Sequence, residues 1–179
     1  MKNDLLLILD IDETLVFSTL TPLDREEDFM IDQYFVYRRP HLNDFFSFCL
    51  DNFRTAVWSS SSSAYAEAMV NHIFPYPDKL GFTWSREQCT QRIDPVTGQL
   101  YWLKNLKKVK RRGYDLDRIL MIDDSPEKLQ KNYGNHLLVS PFLGNESDNE
   151  LLYLKKYLET IKGTDNIRSL DKRGWRNKI

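Results

Sequence analysis

Two carboxylates stand two residues apart near the start of the chain, where Asp10 and Asp12 follow the apolar run 5–9. A short apolar run is typical of a buried parallel strand, and open α/β sheets bind ligands at the carboxyl ends of their strands. Because alternate residues of an extended chain face the same side, the two carboxylates would repel each other unless they shared a cation or a proton. The pair predicts a nucleophile, a general acid/base and a Mg²⁺ site together. A strand that ends in a capping Asp before a turn explains the local sequence equally well.

A second pair of acids follows a second apolar run, where Asp123 and Asp124 come directly after residues 119–122. Adjacent carboxylates at a buried strand end are costly without a cation, so this pair favours the metal-site interpretation. Ser125 and Pro126 then predict a new helix, with the serine as N-cap and the proline at the first helical position.

Five serines, Ser59 to Ser63, follow the strand-like run 55–58. Hydroxyls and backbone N–H groups at a strand-to-helix junction bind phosphate, so we expect Ser59 and Ser60 to contact a phosphoryl group. A flexible serine linker is the alternative. The apolar spacing of residues 64–73 predicts a helix immediately afterwards and favours the phosphate site.

The composition indicates one globular domain. The chain has 179 residues, 41% of them hydrophobic and 28% charged, with a formal net charge of −1. This balance gives no general attraction to nucleic acid or to an anionic membrane, and no apolar run approaches the ~20 residues of a membrane span. We expect Cys49 and Cys89 to be reduced and packed, and the protein to be a cytoplasmic monomer, or a nuclear one in a eukaryote.

The order of elements predicts an α/β fold with a doubly wound, mainly parallel sheet. We expect a small β insertion over residues 75–103, a loop or flap over 18–33 and a short strand at 34–37. The other predicted strands are 5–10, 54–58, 118–122 and 136–139, and the predicted helices are 41–52, 62–74, 103–112, 126–133 and 148–161.

Two finer predictions concern a helix face and the end of the chain. The helix 41–52 should bury one apolar face, made of Leu42, Phe45, Phe46, Cys49 and Leu50. We place the domain at 1–163 and expect 164–179 to be a basic tail. From residue 168 onward it should be a solvated, partly ordered end, with binding of an acidic partner as the alternative.

The segment 10–16, Asp-Ile-Asp-Glu-Thr-Leu-Val, resembles the first motif of the haloacid dehalogenase (HAD) superfamily. More narrowly, it is similar to phosphatases that act on the C-terminal domain of RNA polymerase II and to their small and mitochondrial-import relatives. Four further segments resemble motifs of that family and follow one another in the family's order. These segments are Arg39-Pro40-His41, Trp58 to Ser61, Lys104-Asn105-Leu106 and Asp123 to Pro126. Ser59 replaces the usual Thr and keeps its hydroxyl, whereas Asn105 replaces the usual Asp and has no interpretation here.

The resemblance implies a role for each matching residue. Asp10 would be the nucleophile, and Asp12 would be the general acid/base with a backbone carbonyl that binds Mg²⁺. Asp124 would complete the metal site, and Asp123 would orient Lys104 or a metal-bound water. Ser59, Ser60 and Lys104 would bind the phosphoryl group, and Lys104 is thereby singled out from the six basic residues of 104–112. The histidines His41, His72 and His136 are interpreted as structural, since Mg²⁺ prefers oxygen ligands.

The resemblance also implies a HAD-like fold with helices on both faces of the sheet. Neither insertion is long enough for a large cap domain, so the site would be open to a phosphorylated side chain of a protein or peptide. Phosphoserine or phosphothreonine next to proline is the expected substrate, with phosphotyrosine or a small phosphate ester as the alternatives. A protein-binding module without catalysis and a phosphotransferase are the other candidate functions. The acidic segment 24–32 overhangs the site or forms a solvated loop.

Overall fold

The computed structural model describes residues 5–179, so residues 1–4 of the predicted domain lie outside the described part of the chain. Strands and α-helices follow one another in this order: β1 (Leu6–Leu9), β2 (Val16–Thr19), β3 (Phe29–Ile31), β4 (Tyr34–Arg38), α1 (Leu42–Asn52), β5 (Arg54–Trp58), α2 (Ser63–Ile73), β6 (Thr83–Trp84), β7 (Thr90–Ile93), β8 (Leu100–Leu103), α3 (Lys107–Lys110), β9 (Ile119–Asp123), β10 (His136–Leu138) and α4 (Glu150–Ile161). Short 3₁₀ turns connect several of them.

The central sheet has five strands in the order β10-β9-β1-β5-β6, and all its pairings are parallel. Its middle strand β1 is wholly buried, which explains the unbroken apolar run of its sequence. The register sets Leu9 opposite Ile122 of β9 and opposite Val57 of β5. The residues that follow these three strands therefore meet at one edge of the sheet.

Alternate residues of β1 divide the core into two layers. Leu7 and Leu9 belong to the larger cluster, which includes α1, α2 and α4, whereas Leu6 and Ile8 belong to the cluster on the other face with Val109 of α3. The predicted apolar face of α1 is confirmed, because all five residues assigned to that face are buried. The prediction of a doubly wound parallel sheet with helices on both faces is confirmed as well.

Two small additions project from this sheet, and no large cap is evident over residues 5–179. Strands β2, β4 and β3 form a three-stranded antiparallel sheet. The predicted strand 34–37 is confirmed by β4, whereas β3 lies within the segment 18–33 that was predicted as a loop or flap. In the predicted insertion 75–103, β7 and β8 pair as a hairpin, while β6 joins the central sheet.

The predicted helix 126–133 is wrong. Residues Pro126–Leu129 and Tyr133–Asn135 form two separate 3₁₀ turns, and the Ser125 side chain makes no N-cap hydrogen bond. Ser125 Oγ instead donates to Asp124 Oδ1 at 3.2 Å. The predicted helix 103–112 is reduced to the single turn α3.

Most residues from 168 onward are exposed, as expected, but the segment is anchored to the rest of the fold. Trp175 is buried and packs on Tyr157 of α4, and its Nε1 donates to the Leu138 carbonyl at 2.8 Å. Ile167, at the start of this segment, is buried in the larger core cluster. The division of the chain after residue 163 stays a prediction, and the segment beyond it packs on the preceding helix.

Both cysteines, Cys49 and Cys89, are free and buried, as predicted. Among the helices of the described residues, none combines the length and the apolar character that crossing a membrane requires.

Candidate active site

Two buried carboxylates meet where β1 and β9 end. Asp10 follows β1, its backbone N–H donates to the Ile122 carbonyl at 3.0 Å, and Asp123 is the last residue of β9. Both side chains are essentially inaccessible to solvent. The two parallel apolar runs thus bring together the acids that were predicted from separate parts of the sequence.

Lys104 lies between these two carboxylates. Its Nζ is 2.6 Å from Asp10 Oδ1 and 2.7 Å from Asp123 Oδ2, and its side chain is fully buried. The backbone N–H of Lys104 donates to the Lys128 carbonyl at 2.8 Å, which fixes the end of the segment that follows β8. Lys107, by contrast, is exposed at the start of α3. The fold separates Lys104 from the exposed Lys107, whereas contact of Lys104 with a phosphoryl group stays a prediction.

A second lysine, which the sequence analysis missed, faces the same acids. Lys128 Nζ lies 3.2 Å from Asp10 Oδ2, 3.7 Å from Asp123 Oδ1 and 3.9 Å from Asp124 Oδ1. The 3₁₀ turn Pro126–Leu129 places the lysine there. Its position four residues after Asp124 was the available signal, although such a spacing is also common on solvated surfaces.

The charges of this cluster do not balance. Asp10, Asp123 and Asp124 each offer an oxygen within 4.8 Å of the others, and two lysines face them. Burial would raise the pKa of Asp10, but Lys104 and Lys128 lower that pKa below its usual value. Burial and the Asp10 charge raise the pKa of Asp123, and they raise the pKa of Asp124 to about 6. Three clustered carboxylates, two of them with raised pKa values, are a donor set that fits a hard divalent cation.

Asp12 has a different environment from Asp10. Its carboxylate accepts hydrogen bonds from Ser61 Oγ at 2.8 Å, from Tyr65 Oη at 2.8 Å and from Ser59 Oγ at 3.4 Å. Burial and repulsion from Asp10 nevertheless raise the pKa of Asp12. The pKa values of the two acids are shifted in opposite directions, an arrangement that suits one nucleophile and one proton carrier.

The loop between β1 and β2 is a tight turn around the Ile11 carbonyl. That carbonyl accepts the backbone N–H groups of Thr14 at 3.2 Å and Leu15 at 2.8 Å. Glu13 adopts the left-handed conformation, with φ of 56°, which is strained for a residue with a side chain. Burial and the charges of Asp12 and Asp124 raise the pKa of Glu13 to about 7. Neither property of Glu13 was predicted from the sequence.

The serine run is ordered by hydrogen bonds, so the flexible-linker alternative is wrong. The Ser59 N–H donates to the Trp84 carbonyl of β6 at 2.9 Å, and Ser59 Oγ accepts the Ser61 N–H at 3.0 Å. Ser63 begins α2. The structure brings the Ser59 hydroxyl to Asp12, whereas within residues 5–179 no hydrogen bond joins the Ser60 side chain to the acidic cluster. Phosphate binding by Ser59 and Ser60 stays a prediction.

Arg39 supports the site from behind. Its buried guanidinium donates to both carboxylate oxygens of Asp148 at 2.8 Å, to the Thr14 carbonyl at 3.0 Å and to the Ser140 carbonyl at 2.9 Å. One side chain therefore ties the acidic turn to the segment that follows β10. The sequence analysis names Arg39 only as part of the segment Arg39-Pro40-His41 and predicts no role for its side chain.

The three histidines lie outside the group of candidate metal ligands. His136 is buried, and its Nε2 is 2.9 Å from the Asp123 backbone carbonyl, where it buttresses the end of β9. His41 and His72 are exposed at the ends of helices.

The family model described as NLI interacting factor-like phosphatase matches residues 5–168 of the chain. The chain belongs to this family. The predicted resemblance is thereby confirmed, and the matched region holds all the acidic and basic residues described above.

The chain is also similar to curated proteins that are named as CTD small phosphatases. "CTD small phosphatase-like protein 2" of Dictyostelium discoideum is 29% identical over 90% of this chain and 28% of its own length. The human "Carboxy-terminal domain RNA polymerase II polypeptide A small phosphatase 1" is 27% identical over 94% of this chain and 64% of its own length. The chain thus spans between about a quarter and two thirds of these relatives.

A solved structure confirms the fold. The fission yeast RNA polymerase II CTD phosphatase Fcp1 superimposes with a TM-score of 0.67 over 89% of this chain and 62% of its own, at 16% sequence identity. The HAD-like architecture expected from the sequence is therefore confirmed.

Proposed function

We propose that this protein is a phosphatase that hydrolyses phosphate monoesters through a phosphorylated Asp10. The observation that carries the proposal is the contact of one buried carboxylate with two ammonium groups, Lys104 at 2.6 Å and Lys128 at 3.2 Å. These cations keep Asp10 ionised and screen it from a phosphate dianion, which would otherwise repel it. A surface carboxylate is ionised as well, but without such neighbours nothing screens it from the phosphate dianion.

The reaction needs one proton carrier in each of two steps. In the first, an Asp10 oxygen attacks phosphorus, the ester P–O bond breaks, and Asp12 gives its proton to the leaving oxygen. In the second, Asp12 takes a proton from water, the water oxygen attacks phosphorus, and the Asp10–phosphorus bond breaks to release phosphate. The raised pKa of Asp12 supports this assignment, because a carboxyl group that keeps its proton can act as an acid. Ser61 and Tyr65 hold the group in place.

We further propose that Mg²⁺ is the cofactor. The side chains of Asp10, Asp123 and Asp124 would hold it, together with the Asp12 backbone carbonyl that the family resemblance assigns. When bound, the ion screens the negative charges of the nucleophile and the phosphoryl group. Lys104 would contact the phosphoryl oxygens as charge builds on them, and Asp123 would orient Lys104, which it contacts at 2.7 Å. Ser59 and Ser60 are proposed to bind the same group.

The proposed substrate is a phosphorylated serine or threonine side chain of a protein. The carboxyl edge of the sheet carries only small additions within residues 5–179, so an open site supports a bulky substrate. One relative is named for the C-terminal domain of RNA polymerase II, which supports a phosphorylated protein as the substrate class of this chain. Phosphotyrosine and small phosphate esters are the other substrates to be tested.

We also propose that the protein is a monomer that binds neither nucleic acid nor membrane. Its two free thiols support a reducing compartment such as the cytoplasm.

A protein-binding module without catalysis is the main alternative. Such a module has no need to bury Asp10, Asp123 and Lys104 against one another, because clustered buried charges are costly to keep. The presence of this cluster therefore favours a catalytic function over a binding module.

The test is hydrolysis of para-nitrophenyl phosphate, measured with Mg²⁺ and with a chelator, and then extended to phosphoserine, phosphothreonine and phosphotyrosine peptides. We expect turnover that the chelator abolishes and that Mg²⁺ restores. Asp10→Asn is the control for contaminating phosphatases. An inactive wild-type protein that still binds phosphopeptides would support the binding module, and chelator-resistant activity would contradict the metal assignment.

A further inference from the structure

A large cavity opens beside the acidic cluster, on the side of β10. Its volume is about 1010 Å³, and it lies between the carboxyl end of β10 and the C-terminal segment. Asp124 lines it, as do Leu138 and residues 168–176. Asp124 also offers an oxygen within 4.8 Å of Asp10, so the cavity adjoins the proposed site of phosphoryl transfer.

The charge of the cavity is opposite to that of the protein as a whole. Four basic side chains line it, and they are Arg168, Lys172, Arg173 and Arg176. Asp124 and Asp171 are its two acidic side chains, whereas the whole chain has a net charge of −1. We call this cavity the basic groove, defined by Asp124, Leu138, Arg168, Arg173 and Arg176.

Two of the four basic residues serve the fold. Arg176 donates to the buried Glu150 and, at 2.9 Å, to Ser140 Oγ, while Lys172 Nζ donates to the carbonyls of Ile167 at 2.6 Å and Leu170 at 3.0 Å. These contacts hold the C-terminal segment against the domain. The basic groove is therefore bounded by a C-terminal segment that hydrogen bonds hold in place.

The other two basic residues are available to a ligand. The side chains of Arg168 and Arg173 are 50% and 91% exposed, and their partners are Asp117 at 3.4 Å and Asp171 at 2.8 Å. Exposed ion pairs are weak, and they exchange readily for another carboxylate. Leu138 and Tyr133 add exposed apolar surface to the lining, which suits the aliphatic parts of a peptide.

We propose that the basic groove binds acidic residues next to the phosphorylated side chain of a protein substrate. The inference rests on the proposed function, because it takes Asp10 as the point where the phosphoryl group is bound. A peptide that reaches Asp10 can continue past Asp124 into the groove, where Arg168 and Arg173 meet its carboxylates. Small-molecule pockets have volumes of about 300–1,000 Å³. The volume of the basic groove lies at the upper end of this range, so it suits a stretch of peptide better than a single ion.

Binding of fluorescent phosphoserine peptides to the Asp10→Asn protein tests the groove without turnover. One peptide carries glutamates before the phosphoserine, one carries them after it, and one carries neutral residues on both sides. We expect at least one acidic peptide to bind more tightly than the neutral one, and a double change Arg168→Gln with Arg173→Gln to weaken it roughly tenfold. Arg111→Gln, at an exposed arginine after α3, is the matched control and should leave all three affinities unchanged.

The wild-type background separates this proposal from the proposed function. With Arg168→Gln and Arg173→Gln in the wild-type protein, we expect a raised KM for the acidic peptide and an unchanged kcat/KM for para-nitrophenyl phosphate. Equal affinities for the three peptides, or no effect of the double change, would overturn the groove while leaving the phosphatase intact. A single-stranded oligonucleotide is tested in parallel. If the wild-type protein bound it, the double change abolished that binding, and acidic peptides were not preferred, the groove would be a nucleic-acid site and the peptide proposal would be overturned.

Discussion

Lys104 Nζ lies 2.6 Å from Asp10 Oδ1, and the two side chains are buried together at the centre of the sheet edge. This ion pair joins residues that are 94 positions apart in the sequence. Removal of the lysine would leave the buried acids Asp10 and Asp123 with Lys128 in place of two cations, and the loss of a buried ionic partner destabilises a fold strongly. The pair thus connects the stability of the fold to the chemistry proposed for it.

The first prediction compares this lysine with its neighbour. Lys104→Ala should lower kcat/KM for para-nitrophenyl phosphate by a factor of about 10² or more, from the loss of one charge-stabilising donor. It should also destabilise the protein, so activity is measured below the melting temperature of the variant. Lys107→Ala, at an exposed position, should change the free energy of unfolding by no more than about 0.5 kcal/mol and leave activity unchanged. Similar activities in the two variants would show that Lys104 has no part in catalysis.

The second prediction concerns Lys128, which faces the three carboxylates proposed to hold Mg²⁺. Because Lys128 lies close to the carboxylates that would hold the ion, its ammonium group would repel a divalent cation there, and Lys128→Met should tighten Mg²⁺ binding by about tenfold or more. Isothermal titration calorimetry of the metal alone measures this, with the exposed Lys131→Met as the matched control. An unchanged or weaker Mg²⁺ affinity in Lys128→Met would place the ion elsewhere.

Much of this site could be predicted from local sequence. The runs 5–9 and 119–122 are short, apolar and followed by acids, so β1, β9 and the meeting of Asp10 with Asp123 could be anticipated. The helix α1 could be anticipated for the same reason, since its apolar spacing leaves one buried face.

The parts that were missed depend on tertiary contacts. Residues 126–133 have helical composition, but the carbonyl of Lys128 accepts the Lys104 N–H, and the segment closes as 3₁₀ turns that direct the lysine inward. The C-terminal segment looks solvated because it is basic, yet the isolated apolar residues Ile167 and Trp175 anchor it. The many basic residues of the segment predict exposure to solvent, but the burial of two apolar side chains is enough to hold it against the domain.

The third prediction concerns stability and pH at the pair Arg39–Asp148. Burial would raise the pKa of Asp148, but hydrogen bonds from Arg39 and from the Glu150 backbone lower it below the usual value. A lowered pKa stabilises the fold above the unfolded-state pKa of about 3.9, and the stabilisation is lost as the pH falls through the folded-state pKa.

Asp148→Asn removes that dependence and leaves the Arg39 guanidinium without its carboxylate. Because Asp148 is itself partly exposed, we expect a loss of roughly 2 kcal/mol near pH 7, less than for a fully buried pair. Urea unfolding at pH 7 and at several pH values below 4 measures the difference, which should shrink as the pH falls. Asp165→Asn, at a fully exposed acid, is the control. A pH-independent difference would show that Asp148 acts through packing rather than charge.

The central claim is that Asp10 carries the phosphoryl group between the two steps. The most direct measurement is mass spectrometry of Asp12→Asn after brief exposure to para-nitrophenyl phosphate and Mg²⁺ and an acid quench. An asparagine cannot supply or accept the proton, so both steps should slow, by about 10²–10⁴-fold for one lost acid/base, and phosphate should remain on the protein. We predict one added phosphoryl group, mapped to the peptide that contains Asp10, and none in a variant that also carries Asp10→Asn. Turnover that persists in Asp10→Asn at the wild-type rate, or a phosphoryl group mapped to another residue, would contradict the account.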